Sequence, residues 1–439
     1  MADTSGSTSA AVSSNGMSTE PYWWGEAPRP ALEPVAMPAE ADVAVIGSGY
    51  TGLSAALTLA RGGRSVIVLE AEEAGHGASS RNGGGVGTTP FKIGFEKTVA
   101  MLGRDRARRV WLEGRASVDH LAQLVENEQI RCHFARNGRF IGAWRPKDYE
   151  KLARDAEVLR REIDAEIEMV PRSEQQREIG TTIYHGGRFN PDNGTVHPGL
   201  LHQGLLERVL AAGARVSDRT RVEAVERDGA GFTLTTSRGT VRAGTVVAAT
   251  NGYTAGAIPW LQRRVIPVAS QIIATEELPE ETVRRLVPRL NMIIDTKRTV
   301  NYYRASPDGR RILMGGRPTL RDAPIEVSAR RLREFMVRVW PELADVRIAH
   351  AWGGKLGFTF DQLPHIGEHD GIHYAAGYMG SGVAMSVYLG HKVGLRILGD
   401  PQGETALDGR GFPTIPFYGG NPWFLGAVAA YYRLRDNVG

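Results

Sequence analysis

The sequence predicts an α/β chain folded as two domains, and three observations carry that prediction. A short apolar β-like run, a glycine-rich turn, a helix and a second apolar run follow one another between Asp42 and Glu70. Later segments alternate between helical and strand-like periodicity instead of keeping to one. The chain has 439 residues, whereas one ordinary core takes about 100–200.

Residues 1 to about 20 are rich in Ser, Thr, Ala and Gly and lack the apolar stretch of a signal peptide, so they read as a disordered tail. Residues 21–40 are Pro-rich and read as an extended arm, with Tyr22, Trp23 and Trp24 available to pack on the body. Residues 42–46 form a strand by their β-branched content, and 53–61 form a helix with Leu53, Ala56, Leu57 and Ala60 on one face. Gly62 and Gly63 stop that helix, and 65–69 make a second buried strand. From about 91 to 167 the pattern is helical. A helix at 199–212 opens at His197-Pro198, with Pro near the first turn. Strands are expected at 221–225, 232–235, 245–249, 266–275, 299–304 and 311–315, and helices at 330–340, 382–398 and 423–435.

Composition narrows the function. The net charge is only +4, and Arg pairs such as Arg263-Arg264 and Arg330-Arg331 read as solvated faces, so no nucleic-acid partner is expected. A single cysteine, Cys132, excludes a disulfide framework and a Cys-rich metal site, and no metal ligand set stands out. No run of about 18 apolar residues suggests a membrane span. The expected location is cytoplasmic, and heavy use of Arg, Ala and Gly with little Lys fits a GC-rich bacterial genome.

The chemistry starts at Gly47-Ser-Gly49-Tyr50-Thr51-Gly52, between a strand and a helix, with Glu70 at the end of the next strand. This is the dinucleotide-binding context. The first glycine permits the tight turn, the second lets backbone N–H groups approach a pyrophosphate, and the third allows close helix–strand packing. The helix N-terminus adds partial positive charge, and Glu70 is placed to accept from ribose hydroxyls. A second glycine-rich loop, Gly77-Ala78-Ser79-Ser80-Arg81-Asn82-Gly83-Gly84-Gly85, follows closely. Its length favours FAD over NAD, because a flavin's ribityl chain and ring also need cover. Val222, the turn Thr250-Asn251-Gly252, and Gly380-Ser381-Gly382-Val383 complete the expected cofactor-binding set.

These segments together resemble the D-amino-acid oxidase superfamily of flavoproteins, nearest in look to the gamma-glutamylputrescine oxidase branch. The matching stretches are 45–53, 77–84, 249–254, 312–317, 352–354, 359–367 and 377–382. The resemblance implies a Rossmann-like FAD domain from separated stretches (41–100, 195–265 and 345–400). It also implies an antiparallel-sheet substrate domain (101–194 and 266–344) that roofs the flavin, leaving 1–40 as tail and arm and 401–439 as a C-terminal extension. It further implies hydride removal from the carbon beside an amine nitrogen, with O2 or another acceptor taking the electrons.

Departures refine this. The flavin-bonding cysteine of monomeric sarcosine oxidases falls near Gly354 here, so FAD is expected to be non-covalent; His76 has the wrong offset for a histidyl link. A carboxylate-binding lysine of those relatives corresponds to Ala384, which points to a longer or non-acidic amine. The strand that carries their oxygen-assisting lysine reads Ile312-Leu313-Met314, which leaves dehydrogenase activity open. Trp352, Tyr302, Tyr303 and Tyr378 are expected to face the flavin and box an amine by cation–π contact, with Lys355 beside them. His365 is a candidate base or packing residue. The leading function is oxidation of a small primary or secondary amine; the alternatives are an amino-acid oxidase and a non-catalytic FAD-binding protein.

Overall fold

A computed structural model of the chain describes residues 16–32, 36–89, 93–320 and 323–437. The expected tail up to residue 15, and the start of the helical region at residue 91, lie outside the described residues.

The opening unit consists of β1 (Glu40–Ile46), α1 (Tyr50–Arg61) and β2 (Val66–Leu69). The last four residues of β1 and all of β2 are buried, which is why both read as continuous apolar runs. β1 pairs in parallel with β2, from Val43 opposite Val66 to Ile46 opposite Leu69. On its other side it pairs in parallel with the strand Gly239–Ala248. The sheet continues past β2 to Arg215–Ser217, and past Gly239–Ala248 to Ile372–Ala376 and His365–His369. Val222–Asp228 and Gly231–Thr236 add an antiparallel meander. The carboxyl ends of the central parallel strands thus lie side by side, where an open α/β sheet forms its ligand crevice. α1 is buried along nearly its whole length. It packs on the helix Gly382–Ile397, where the Ser54 hydroxyl donates to the Val387 carbonyl at 2.6 Å.

The second sheet runs in the order Ile348–Phe358, Ile266–Thr275, Ile312–Gly316, Tyr302–Ala305, Met292–Asp295, Arg139–Gly142, Gly187–Asn190, Glu168–Val170. Its pairs are antiparallel except Met292–Asp295 with Arg139–Gly142. The helix Ile325–Val339 covers one face, its Leu332 and Met336 packing with Phe140, Ile293, Tyr303 and Met314. A parallel dinucleotide-type sheet plus a largely antiparallel second sheet is the architecture that the sequence predicts.

Four local expectations fail for identifiable reasons. The strand Arg139–Gly142 interrupts the region expected to be helical from 91 to 167. Four residues are too few to show alternation, and their stabilising partners at 187–190 and 292–295 are remote in sequence. The strand Ile348–Phe358 falls in the stretch expected in the first domain, yet it edges the second sheet, from Phe358 opposite Ile266 to Ile348 opposite Thr275. Gly353, Gly354 and Gly357 disguise it as a turn. Residues 16–20 of the expected tail are ordered: Met17 is buried, and Ser18 donates to the Ala349 carbonyl and accepts from the Ala351 N–H, both at 2.9 Å. The arm is not wholly extended either, because Tyr22–Trp24 forms a 3-10 turn with Trp23 fully buried. At the other end, the helix Leu425–Asn437 packs through Leu425, Val428 and Ala429 near Ile266, Val268 and Leu320.

Candidate active site

The two sheets enclose a cavity of about 370 Å³. One end lies over the carboxyl ends of β1 and β2 and is lined by Gly47, Gly49, Tyr50, Thr51, Glu70 and Val222. Gly47 has φ of +102°, which favours glycine, and its N–H donates to the Leu69 carbonyl at 2.9 Å. Gly52 stands behind the wall, where a Cβ would overlap the Gly47 carbonyl, so the third glycine sets the helix–strand contact as its spacing predicts. The Glu70 carboxylate accepts from the Ser48 N–H at 2.9 Å, the Ser48 hydroxyl at 2.8 Å and the Glu72 N–H at 3.1 Å. It therefore fixes the glycine turn as well as bordering the cavity.

The second loop lines the middle with Ala78, Ser79, Arg81, Asn82 and Gly83. Ser79 accepts the Tyr50 N–H at 2.9 Å, tying this loop to α1. Asn82 is spent on the loop itself, donating to the Ser79 carbonyl at 2.9 Å and accepting the Gly84 N–H at 2.7 Å. Arg81 donates to the Gly353 carbonyl at 2.9 Å and lies over the Trp24 ring. Three indoles clamp this loop from behind. Trp24 donates to the Ser80 hydroxyl at 2.9 Å, Trp352 to the Arg81 carbonyl at 2.8 Å and Trp23 to the Asn82 carbonyl at 2.8 Å. Gly380, Ser381, Gly382 and Val383 also line the cavity, so the N-termini of α1 and of the helix Gly382–Ile397 both open onto it. Two positive helix ends beside a glycine turn that admits no side chain suit a pyrophosphate, and the donor set fits a bound FAD. Thr250 and Asn251 line the same wall, and Asn251 accepts the Gly377 N–H at 2.9 Å. Gly84 and Gly252 do not line it; each lies against backbone, of Val196 and Leu356 respectively.

Of the expected substrate residues, Tyr302, Tyr378 and Lys355 line the cavity. The Tyr302 ring lies against Gly83 and Gly315. The Tyr378 hydroxyl bonds the Thr51 hydroxyl at 2.7 Å, and burial raises its pKa. Trp352 does not line it: the indole packs with Trp23, Ile272 and Leu313, and its role is to hold Arg81. Tyr303 fails for a simpler reason. It alternates with Tyr302 on one strand, so its ring points to the opposite face and bonds the Tyr184 hydroxyl. His365 lies outside the lining, stacked on Phe412 at 3.8 Å and bonded to Asp361 at 3.0 Å; burial lowers its pKa, and it reads as a packing residue. Ala384 is buried in its helix and does not line the cavity, so it offers a substrate carboxylate no anchor. Met314 is buried in the second core. Gly354 lines the wall, while Cys132 is buried outside the lining, with burial pushing its thiol up to about 12.

Sequence reasoning missed Arg139, Arg317, Ser270, Ile272, Met292 and Ile294, all in the lining. Only Arg317 gave a signal, as the last residue of the 312–317 stretch.

Fold and site together define a dinucleotide-binding oxidoreductase of the flavoprotein class. The family model described as DAO, FAD dependent oxidoreductase, matches residues 42–394, and the chain belongs to that family. It is 33% identical over 429 residues to the Probable oxidoreductase OrdL of Rhizobium meliloti, covering 94% of this chain and 97% of that one. It is 30% identical over 403 residues to the Gamma-glutamylputrescine oxidoreductase of Escherichia coli, covering 91% and 93%. Among solved structures, glycine oxidase from Geobacillus kaustophilus matches with a TM-score of 0.70 at 22% identity, covering 87% of this chain and 100% of that one. The protein is an FAD-dependent oxidoreductase. Among the described residues, no helix is long and apolar enough to cross a membrane.

Proposed function

We propose that the protein oxidises a carbon–nitrogen bond in a small primary or secondary amine, with polyamine derivatives as the leading substrate class. The observation that carries this reading is the meeting, in one cavity, of the dinucleotide loops with the tyrosine-bearing wall of the second sheet. The similarity to Gamma-glutamylputrescine oxidoreductase supports it. When bound, FAD supplies the hydride acceptor for the carbon beside the amine nitrogen and passes the electron pair to O2 or another acceptor. The chain's own part is orientation and exclusion of water. Ile272, Met292, Ile294 and Leu356 give the second-sheet wall an apolar lining, and the Tyr302 ring closes against Gly83. As the hydride leaves carbon, the nitrogen lone pair forms the C=N bond. Water then splits the imine to an aldehyde and an amine or ammonia. The cofactor is held without a covalent bond: Gly354 offers no nucleophile, Cys132 lies outside the lining, and His76, although it lines the cavity, has the wrong offset for a histidyl link.

The test is anaerobic flavin absorbance titrated with a panel of amines and amino acids. Bleaching by amines is the expected result. A flavin bleached only by α-amino acids would replace this reading with amino-acid oxidation, and one bleached by neither would overturn catalysis at a C–N bond. Acid precipitation tests the non-covalent claim, with yellow colour expected in the supernatant and not in the pellet.

A further inference from the structure

Residues 411–432 carry no Asp, Glu, Lys, Arg or His, in a chain of which 23% is charged. A charge-free stretch is ordinary in a core, but much of this one lies at the surface. Phe417 is 97% exposed and Trp423 59%, and the helix that follows exposes Tyr431 and Leu434. These four are half of the large hydrophobic residues exposed among the described residues. The other four, Met101, Leu112, Leu210 and Tyr253, are scattered along the chain. Single exposed hydrophobics need no explanation, whereas a concentration of them marks an interaction surface.

The fold holds these side chains outward. Their neighbours Ile415, Tyr418, Phe424 and Leu425 face inward, in one apolar cluster with Ile266, Val268 and Leu320. The Tyr418 hydroxyl donates to the Val265 carbonyl at 2.8 Å, and the Thr414 hydroxyl donates to the Arg263 carbonyl. Gly420 lies against the Gln262 side chain. Between these anchors Phe417 has φ of +64°, a left-handed conformation that is uncommon for a bulky residue. Backbone strain that presents an aromatic ring to water makes sense where the ring has an apolar partner to meet.

The chemistry of the face selects that partner. Trp423 and Tyr431 each join an apolar ring to a polar tip, the combination that settles at the headgroup level of a bilayer. A protruding ring such as Phe417 needs no matching recess in fluid hydrocarbon. The charges at the edge of the patch are mainly basic: Arg433 and Arg435 against the single carboxylate Asp436, with exposed Arg263 beside the loop. Anionic lipid complements them. A second copy of the chain would bring the same basic residues and no additional carboxylate to a two-fold contact. The helix Leu425–Asn437 has 13 residues, too few to cross a bilayer but enough to lie on one.

We propose that this C-terminal face, formed by Phe417, Trp423, Tyr431 and Leu434, docks the protein on the surface of an anionic lipid bilayer. The face adjoins the cavity. Phe358 belongs to the same apolar cluster, and its ring lies 5.5 Å from the guanidinium of Arg317, a lining residue. Docking therefore sets one edge of the cavity beside the bilayer.

The test is flotation of the full-length, FAD-loaded protein with lipid vesicles, either phosphatidylcholine alone or an equimolar mixture with phosphatidylglycerol. The protein is expected to float with the mixed vesicles and to bind them at least about 10-fold more tightly than the neutral ones. Phe417→Asp should weaken that binding at least about 10-fold, and Trp423→Ala about 3- to 10-fold. Both side chains are exposed, so flavin content should stay unchanged in each variant. No flotation with either vesicle, or flotation indifferent to both substitutions, overturns the proposal. Equal binding to neutral and mixed vesicles overturns the assignment to anionic lipid. Sedimentation velocity without lipid addresses the rival occupant: a dimer that Phe417→Asp dissociates, in a protein that does not float, gives the face to a second copy.

Discussion

On the first-sheet side of the cavity, polar groups are satisfied by near neighbours. Glu70 holds Ser48, Ser79 holds Tyr50, and Asn82 holds its own loop. On the second-sheet side, Arg139, Tyr302, Arg317 and Lys355 come from or next to four different strands, and two of the arginines lack acceptors among the described residues. The difference teaches how each side of the cavity is held in shape. A self-satisfied loop keeps one shape and takes the same cofactor in many proteins. A wall drawn from remote strands leaves charges that its own neighbours do not satisfy.

The sharpest way to break this comparison is Gly52→Ala. The new Cβ would meet the Gly47 carbonyl, which cannot give way without moving β1 from α1. FAD affinity should fall by about 3 kcal/mol or more, read as loss of 450 nm absorbance in the purified protein; full flavin content would contradict the packing argument.

A pH titration of stability probes the other side. Burial raises the Asp295 carboxyl from 3.8 to about 6, against the Asn301 and Lys297 donors that lower it. The folded state therefore holds its proton more tightly than the unfolded chain. This contribution is full below pH 3.8 and is lost as pH rises through about 6, a change of about 3 kcal/mol. Asp295→Asn should flatten that slope in urea melts across the window, and an identical slope in both proteins would show that Asp295 does not cause it.

Glu70→Ala should cost about 1.5–3 kcal/mol of FAD affinity by equilibrium dialysis, since it removes a charged acceptor of the glycine turn. Unchanged affinity would mean that the turn keeps its shape unaided. The smallest expected effect is Trp23→Phe, which keeps the ring and deletes the N–H to the Asn82 carbonyl. It should weaken FAD by about 1 kcal/mol with little change in second-sheet ligand binding. Equal losses on both sides would show that the arm supports the whole cavity and not one loop.

Much of the first-sheet side was legible in the sequence because its parts are close along the chain. A strand, three glycines, a helix and an acidic residue carry their geometry in their spacing. The second-sheet wall was less legible. Tyr302 and Tyr303 are adjacent and chemically alike, and only the strand's pairing decides which faces the cavity. Trp352 looked like a substrate aromatic, yet its N–H is bound to the Arg81 carbonyl from behind. Arg139 sat in a stretch that periodicity made helical, where nothing marked it as a cavity residue.

By itself the sequence determined the βαβ unit, the glycine turn, the family and the cofactor class, because local sterics at Gly47 and Gly52 allow little else. The tertiary structure alone decided which second-sheet residues line the cavity. That choice depends on strand register between segments remote in sequence, and on burial, which leaves Arg139 with no partner at its Nε among the described residues.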